Sequence, residues 1–187
     1  MTGQDITALA LAAGRGDRDA VTDLIRCTQH DVMRLLTALT SSGDAEDLTQ
    51  ETYIRALRSL PDFAGRSSAR TWLFSIARHV AADHIRRATR RPRISAVPDW
   101  QATAEAACAA TSPRFDEHHA LTELLAALLP ERREAFVATQ VLGLSYAEAA
   151  EICDCPIGTI RSRVARARED LVAAMNENNA HSVSAAS

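Results

Sequence analysis

Apolar residues recur at helical spacing along two stretches of this chain, and the twenty-five residues between them, 92–116, keep no period. That pattern limits the fold more than any other feature. A 3.6-residue repeat gathers apolar side chains on one helical stripe, which must be buried against another element. In the first stretch Val21, Leu24, Ile25, Val32, Leu35, Leu36 and Leu39 follow the repeat. In the second, Leu121, Leu124, Leu125, Leu128 and Leu129 do so, as do Ile157, Ile160, Val164, Ala167, Leu171 and Val172. Runs of β-branched residues are short, while alanine, which loses no side-chain entropy on entering a helix, is abundant. The expected fold class is all-α: two small helical domains joined by a flexible linker.

Local punctuation divides the blocks further. In residues 1–91 an opening helix (Ile6, Leu9, Ala10, Ala13) stops at Gly14-Arg15-Gly16. Asp19 is expected to start a second helix, which Ser41-Ser42-Gly43 ends. Asp44 is the expected N-cap of a third helix, with acids in its first turn to complement the helix dipole. That helix carries Leu48, Tyr53, Ala56, Leu57 and Leu60 and stops at Pro61. A polar loop, 62–69, leads to a long helix from Arg70 to Arg90, closed by Arg91-Pro92 because the residue before proline avoids the helical region. Pro98 and Pro113 interrupt the linker, 92–116. Residues 117–175 predict four helices: Pro130 sits at a tolerated first position, Gly143 breaks the helix Glu131–Leu142, and Ser145 with Glu148 forms a capping-box pattern. Residues 176–187 are polar and small and are expected to be a disordered tail.

Composition removes several classes. The chain of 187 residues is 47% hydrophobic, enough to bury a core. No apolar run approaches the roughly 20 residues that span a bilayer. Met1–Ala13 lacks a basic segment before an apolar core, so a secretory leader is not expected and a cytoplasmic location is. No sensory domain is expected after the last helix. The four cysteines (Cys27, Cys108, Cys153, Cys155) do not suggest a disulfide framework in such a compartment. Cys153-Asp154-Cys155 is too tightly spaced for a zinc knuckle, although His118 and His119 would be its natural partners in a metal or redox sensor. Packing roles for the cysteines, no metal and no cofactor are expected. A phosphate loop, a zinc-protease His-Glu pair and a Gly-x-Ser-x-Gly turn are all missing, so no catalytic residue and no small-molecule substrate are expected.

The net charge of −3 matters less than where the charges fall. All 21 basic residues are arginine. Seven of them (Arg66, Arg70, Arg78, Arg86, Arg87, Arg90, Arg91) fall between Phe63 and Arg91 against one acid, Asp83. Arg161, Arg163, Arg166 and Arg168 form a second cluster, and Asp44, Glu46, Asp47 and Glu51 an acidic one. Separate patches of opposite sign point to two kinds of partner surface. The use of arginine alone is equally what a GC-rich genome would produce.

The strongest local motif lies between Ser145 and Arg168. A short capped helix, a tight turn and an arginine-rich helix make a helix-turn-helix, whose second helix enters the major groove with its N-terminal residues on base edges. Those residues are Thr159, Arg161, Ser162 and Arg163, with Arg166 one turn later. Arginine suits the task because its fork meets guanine O6 and N7 together. The plainer reading is a solvated helix face.

Three runs carry a family resemblance. Leu144-Ser-Tyr-Ala-Glu-Ala-Ala-Glu-Ile-Cys153, followed by Pro156-Ile-Gly-Thr-Ile-Arg-Ser-Arg-Val-Ala-Arg-Ala-Arg168, resembles the C-terminal promoter-binding domain of extracytoplasmic-function (ECF) sigma factors, a group within the sigma-70 family. Asp47-Leu-Thr-Gln-Glu-Thr-Tyr-Ile-Arg-Ala-Leu57 resembles that family's polymerase-binding helix. Arg70-Thr-Trp-Leu-Phe-Ser-Ile-Ala-Arg-His-Val-Ala-Ala-Asp-His-Ile-Arg-Arg87 resembles its promoter-melting helix. The resemblance implies that residues 1–91 are the region 2 domain and 117–175 the region 4 domain, with partners in core RNA polymerase and promoter DNA. Asp47, Gln50, Glu51 and Arg55 would dock on the clamp helices of the largest polymerase subunit. Phe63, Ser67 and Ser68 would meet bases of the minus-ten element, and Arg66, Arg70, Arg78 and Arg86 its phosphates. His79 stands where the family commonly has an asparagine facing the non-template strand. The second domain would read the minus-thirty-five element and rest on the flap of the second-largest subunit, and the linker would thread the RNA exit path. Many relatives are held inactive by an anti-sigma protein. A regulator that dimerises on a palindrome would explain the helix-turn-helix but leave the first block unused.

Overall fold

Most expected helix breaks recur in three dimensions, and each has a local cause. The computed structural model describes residues 3–40, 43–90 and 123–185. Among these every regular element is helical: α1 (Gly3–Gly14), α2 (Arg18–Leu39), α3 (Ala45–Ser59), a 3-10 turn (Leu60–Asp62), α4 (Ala69–Arg90), α5 (Pro130–Phe136) running into a π-helical stretch (Val137–Val141), α6 (Tyr146–Cys153) and α7 (Ile157–Ala185). Residues 123–127 are also helical. The linker expected at 92–116 lies outside the described residues, as does the Ser41-Ser42 stop.

Three helix starts show how side chains choose the boundary. Asp17, not Asp19, caps α2: its backbone is extended, and its carboxylate accepts from the amides of Asp19 and Ala20 at 3.0 Å each. Asp44 makes no side-chain capping bond because its own backbone is already helical; its carboxylate faces His84 Nε2 at 3.4 Å instead. α4 begins at Ala69, one residue before the expected start, because Ser68 Oγ accepts the Thr71 amide at 3.0 Å. Gly14 ends α1 where a Cβ would lie 2.7 Å from the Leu60 carbonyl oxygen, so a bare backbone is needed for that close approach.

In the second block Pro130 occupies the first turn of α5, and Gly143 takes a positive φ of 68° after the π-helical stretch. The capping box forms in full: Glu148 accepts the Ser145 amide at 2.9 Å and the Ser145 hydroxyl accepts the Glu148 amide at 3.2 Å. α7 corrects the expected tail, since its helix runs on past Asn176 to Ala185. Beyond Gly158 that segment holds neither glycine nor proline, so nothing local stops the helix from propagating. Leu129 and Val172, counted on apolar stripes in the sequence, are more than half exposed.

Two buried clusters hold these helices. The smaller joins Ile6, Ala10 and Ala13 of α1 to Ala20 and Leu24 of α2, with Leu60 and Ala69. The larger crosses between the blocks. Val32 and Leu36 of α2 and Leu73, Phe74, Ala77 and Val80 of α4 belong to the same cluster as Ala135, Ala149, Ile152, Cys153, Ile160 and Val164. α4 is the shared wall, with α2 and α3 on one side and α6 on the other. Phe74 is completely buried within it.

Candidate nucleic-acid interface

The helix-turn-helix is built from the bottom by its cap and its turn. Ser145 fixes the start of α6, and Asp154 in the left-handed conformation (φ 50°, ψ 53°) ends it. Cys155 and Pro156 then lead into α7. The inward stripe of α7, Ile160, Val164 and Ala167, is buried, which turns Arg161, Ser162 and Arg166 outward into solvent. Thr159 is half-buried, and its carbonyl accepts the Ser162 hydroxyl at 2.9 Å. Arg163 is half-buried and donates from Nη1 to Cys155 Sγ at 3.6 Å. Arg132 Nη1 of α5 meets Asp170 Oδ2 at 2.6 Å and Arg168 Nη2 reaches Gln140 Oε1 at 2.7 Å, so two polar struts set the angle of α7.

The second set of predicted residues is divided by the fold. In the loop before α4, Arg66 is exposed and Ser67 half-buried. Ser68 caps the helix, and the ring of Phe63 packs 4.9 Å from that of Trp72. Along α4, His79 and Arg86 face solvent, Arg86 pairing with Asp83 at 2.5 Å. Arg70 and Arg78 instead face protein partners. Arg70 Nη2 lies 2.8 Å from Asp31 and donates to the Leu142 carbonyl at 3.0 Å, with its guanidinium over the Phe74 ring. Arg78 Nε donates to Glu134 at 2.9 Å. Burial is the strongest single influence on Arg78 and opposes its charge, but the bond to Glu134 and the attraction of the Glu134 charge and of other nearby groups together more than offset it, so the guanidinium's pKa is raised. Arg34 adds a third link across the blocks, donating to the Val141 carbonyl at 3.1 Å.

The third set lies on α3. Asp47 and Gln50 are exposed; Glu51 and Arg55 are half-exposed and bonded to each other at 2.7 Å. Arg55 also reaches Asp83 on α4 at 3.0 Å. Ile54 and Leu57, 45% and 40% exposed, give this acidic helix an outward apolar strip. Asp31, Asp83, Glu134 and Asp170, the acids that receive these arginines, were invisible as partners in the sequence. Only Asp83 carried a signal, as the lone acid in a basic stretch.

Of the cysteine run, Cys155 is half-buried beside Arg163. Cys153 is buried, and its thiol is pushed up to about 12 by burial first and by the charge of Glu134 second, so it stays protonated. No cluster of three metal-ligating side chains occurs among the described residues, and His118 and His119 lie outside them.

Sequence and fold are both shared with known proteins. The model of sigma-70 region 2 matches residues 24–91 and that of sigma-70 region 4 residues 118–171. The chain is 49% identical over 170 residues to the ECF RNA polymerase sigma factor SigC of Mycobacterium tuberculosis, covering 90% of each. The sigma factor RpoE of Bartonella quintana, solved with the anti-sigma factor NepR, is 27% identical with a TM-score of 0.63, over 80% of this chain and 92% of that one. CnrH, solved with the cytosolic domain of CnrY, shares the fold at a TM-score of 0.70 and 24% identity, over 91% of this chain and 97% of that one. Both ends of the molecule lead to one family, and the chain belongs to the ECF group of the sigma-70 family of RNA polymerase sigma factors.

Proposed function

We propose that this chain binds core RNA polymerase in the cytoplasm and directs it to promoters, with α7 reading the minus-thirty-five element and α4 with its preceding loop opening the minus-ten element. No helix among the described residues is long and apolar enough to cross a membrane. The observation that carries the reading is the coexistence in one chain of two unlike surfaces: exposed Arg161, Ser162 and Arg166 at the start of α7, and exposed Asp47 and Gln50 on α3. A groove-reading helix needs free arginines, and a docking helix of opposite sign suits a protein partner whose charges set orientation. Residues 1–91 act as the polymerase-binding and melting unit and 117–175 as the minus-thirty-five unit. In the melting unit Arg66, His79 and Arg86 meet the strand first, and Arg70 and Arg78 join once released.

The contacts across the blocks give the reason for release: Arg70 and Arg78 are held by Asp31 and Glu134, and Arg34 and Arg70 also tie the first block to carbonyls of the second, so the packed arrangement is read as a resting one that opens on polymerase. An anti-sigma protein, the kind of partner crystallised with Bartonella RpoE, would hold the chain in its resting state by covering the same faces.

Run-off transcription with purified core polymerase and a genomic promoter library tests the reading. Specific start sites are expected with the chain and not without it; no initiation at any site would refute it. Charge reversal at Asp47 and Glu51 is expected to weaken core binding while sparing contacts to an isolated promoter fragment.

A further inference from the structure

Asp83 is the one acid between Phe63 and Arg91, and the roles proposed above leave it unassigned. Its two carboxylate oxygens serve two different helices. Oδ2 accepts from Arg55 Nη1 of α3 at 3.0 Å, and Oδ1 accepts from Arg86 Nη2, on its own helix α4, at 2.5 Å. Arg55 in turn donates from Nε to Glu51 at 2.7 Å. An unbroken chain of alternating charge, Glu51–Arg55–Asp83–Arg86, therefore runs from the face assigned to polymerase to the face assigned to the minus-ten strand.

Stability is a poor explanation for it. The four side chains are between 31% and 61% exposed, and ion pairs that wet contribute little to the fold. Geometry is a better one. A guanidinium held between two carboxylates keeps one orientation of its planar fork, whereas an arginine with a single partner on its own helix swings freely. Without Asp83, Arg55 would keep only Glu51 four residues away, and Arg86 would sample solvent. Arg55 and then Arg86 also hold the Asp83 carboxyl below the usual aspartate range, so it is charged at any physiological pH.

We propose that Asp83 is a positioning residue whose single carboxylate orients Arg55 toward polymerase and Arg86 toward promoter DNA, and so couples the two encounters. Arg86 bonds Asp83 through Nη2, so its remaining N–H groups are left for a phosphate, and a strand bound there fixes Asp83 and with it Arg55. By linkage, core binding then favours promoter engagement to the same degree. The inference rests on the assignment of Arg55 and Arg86 under the proposed function.

The test uses the full chain with core polymerase. Core affinity is measured by fluorescence titration, and open-complex formation on a forked promoter is measured separately. Asp83→Ala is expected to reduce each by about two- to fivefold, the range of exposed charge pairs, with the thermal midpoint unchanged. The first loss should vanish in an Arg55→Ala background and the second in an Arg86→Ala background. Asp83→Asn, which keeps one acceptor oxygen without the charge, should fall between Asp83→Ala and the native chain. Equal losses in every background, a loss that merely tracks a lowered midpoint, or no loss at all would overturn the inference. If Arg55→Ala and Arg86→Ala are themselves silent, the assignment of those arginines falls and the inference with it. If they are impaired while Asp83→Ala is not, the inference alone falls.

Discussion

The arginines of α4 and those of α7 look alike in sequence and behave differently in the fold. Arg70, Arg78 and Arg86 of α4 each meet a carboxylate, of Asp31, Glu134 and Asp83 respectively. Arg161 and Arg166 of α7 stand in solvent with their helix already braced by Arg132–Asp170 and Arg168–Gln140. A basic residue on a nucleic-acid-binding helix is thus not automatically available. On the proposed reading α7 is ready to meet its element, whereas on α4 Arg70 and Arg78 must first exchange protein acids for phosphates. That difference suits the order of events at a promoter, where duplex is met before strands are captured.

The comparison can be broken most forcefully at Phe74, the completely buried ring of α4 in the cluster that both blocks share. Phe74→Ala is expected to cost about 3–5 kcal/mol, read by chemical denaturation. Probes placed in the two blocks should shift together; a second block that kept its midpoint would mean the shared cluster does not bind the blocks into one unit. Next comes the ready helix. Arg161→Ala should cost about 1–3 kcal/mol of promoter binding and relax preference at one base pair, whereas a loss uniform over all sequences would reassign it to a phosphate. Ser145→Ala removes one half of the capping box and should lower stability by about 1 kcal/mol, with minus-thirty-five binding affected before minus-ten capture.

Smaller effects sharpen the contrast. Glu134→Gln removes the carboxylate charge that holds Arg78 and should raise binding of a single-stranded minus-ten oligonucleotide to the isolated chain by a few-fold. Unchanged binding would show that Arg78 is no latch. The smallest concerns pH. Because Asp83 has its pKa lowered in the fold, its orienting charge is present above the unfolded aspartate value of about 4 and fades as pH falls through the lower folded one. Its pairs are exposed, so native protein and Asp83→Asn should share a thermal midpoint at neutral pH, and the gap between them in core affinity should close only in acid.

Much of this was readable from residue order. The stops at Gly14 and Gly143, the start at Pro130 and the Ser145–Glu148 cap were legible because each depends on one or two neighbours along the chain. Structure refined other readings locally. Asp19 was expected to start the second helix, and the extended backbone at Asp17 made that residue the cap. The Ser68 hydroxyl, expected to meet a base, accepts the Thr71 amide, and the ring of Phe63, expected beside it, packs against Trp72.

Sequence alone determined that this chain is helical, where most of its helices break, which segments are basic and which acidic, and the family to which the motifs belong. These are properties of short spans, set by backbone preference, periodicity and charge. Only the tertiary structure decided that α4 and α6 share a core, that Arg70 and Arg78 are held while Arg161 and Arg166 are free, and that Asp83 joins α3 to α4. Those facts join residues as far as 72 positions apart. A contact at that separation depends on how whole helices pack, which no periodicity along the chain encodes.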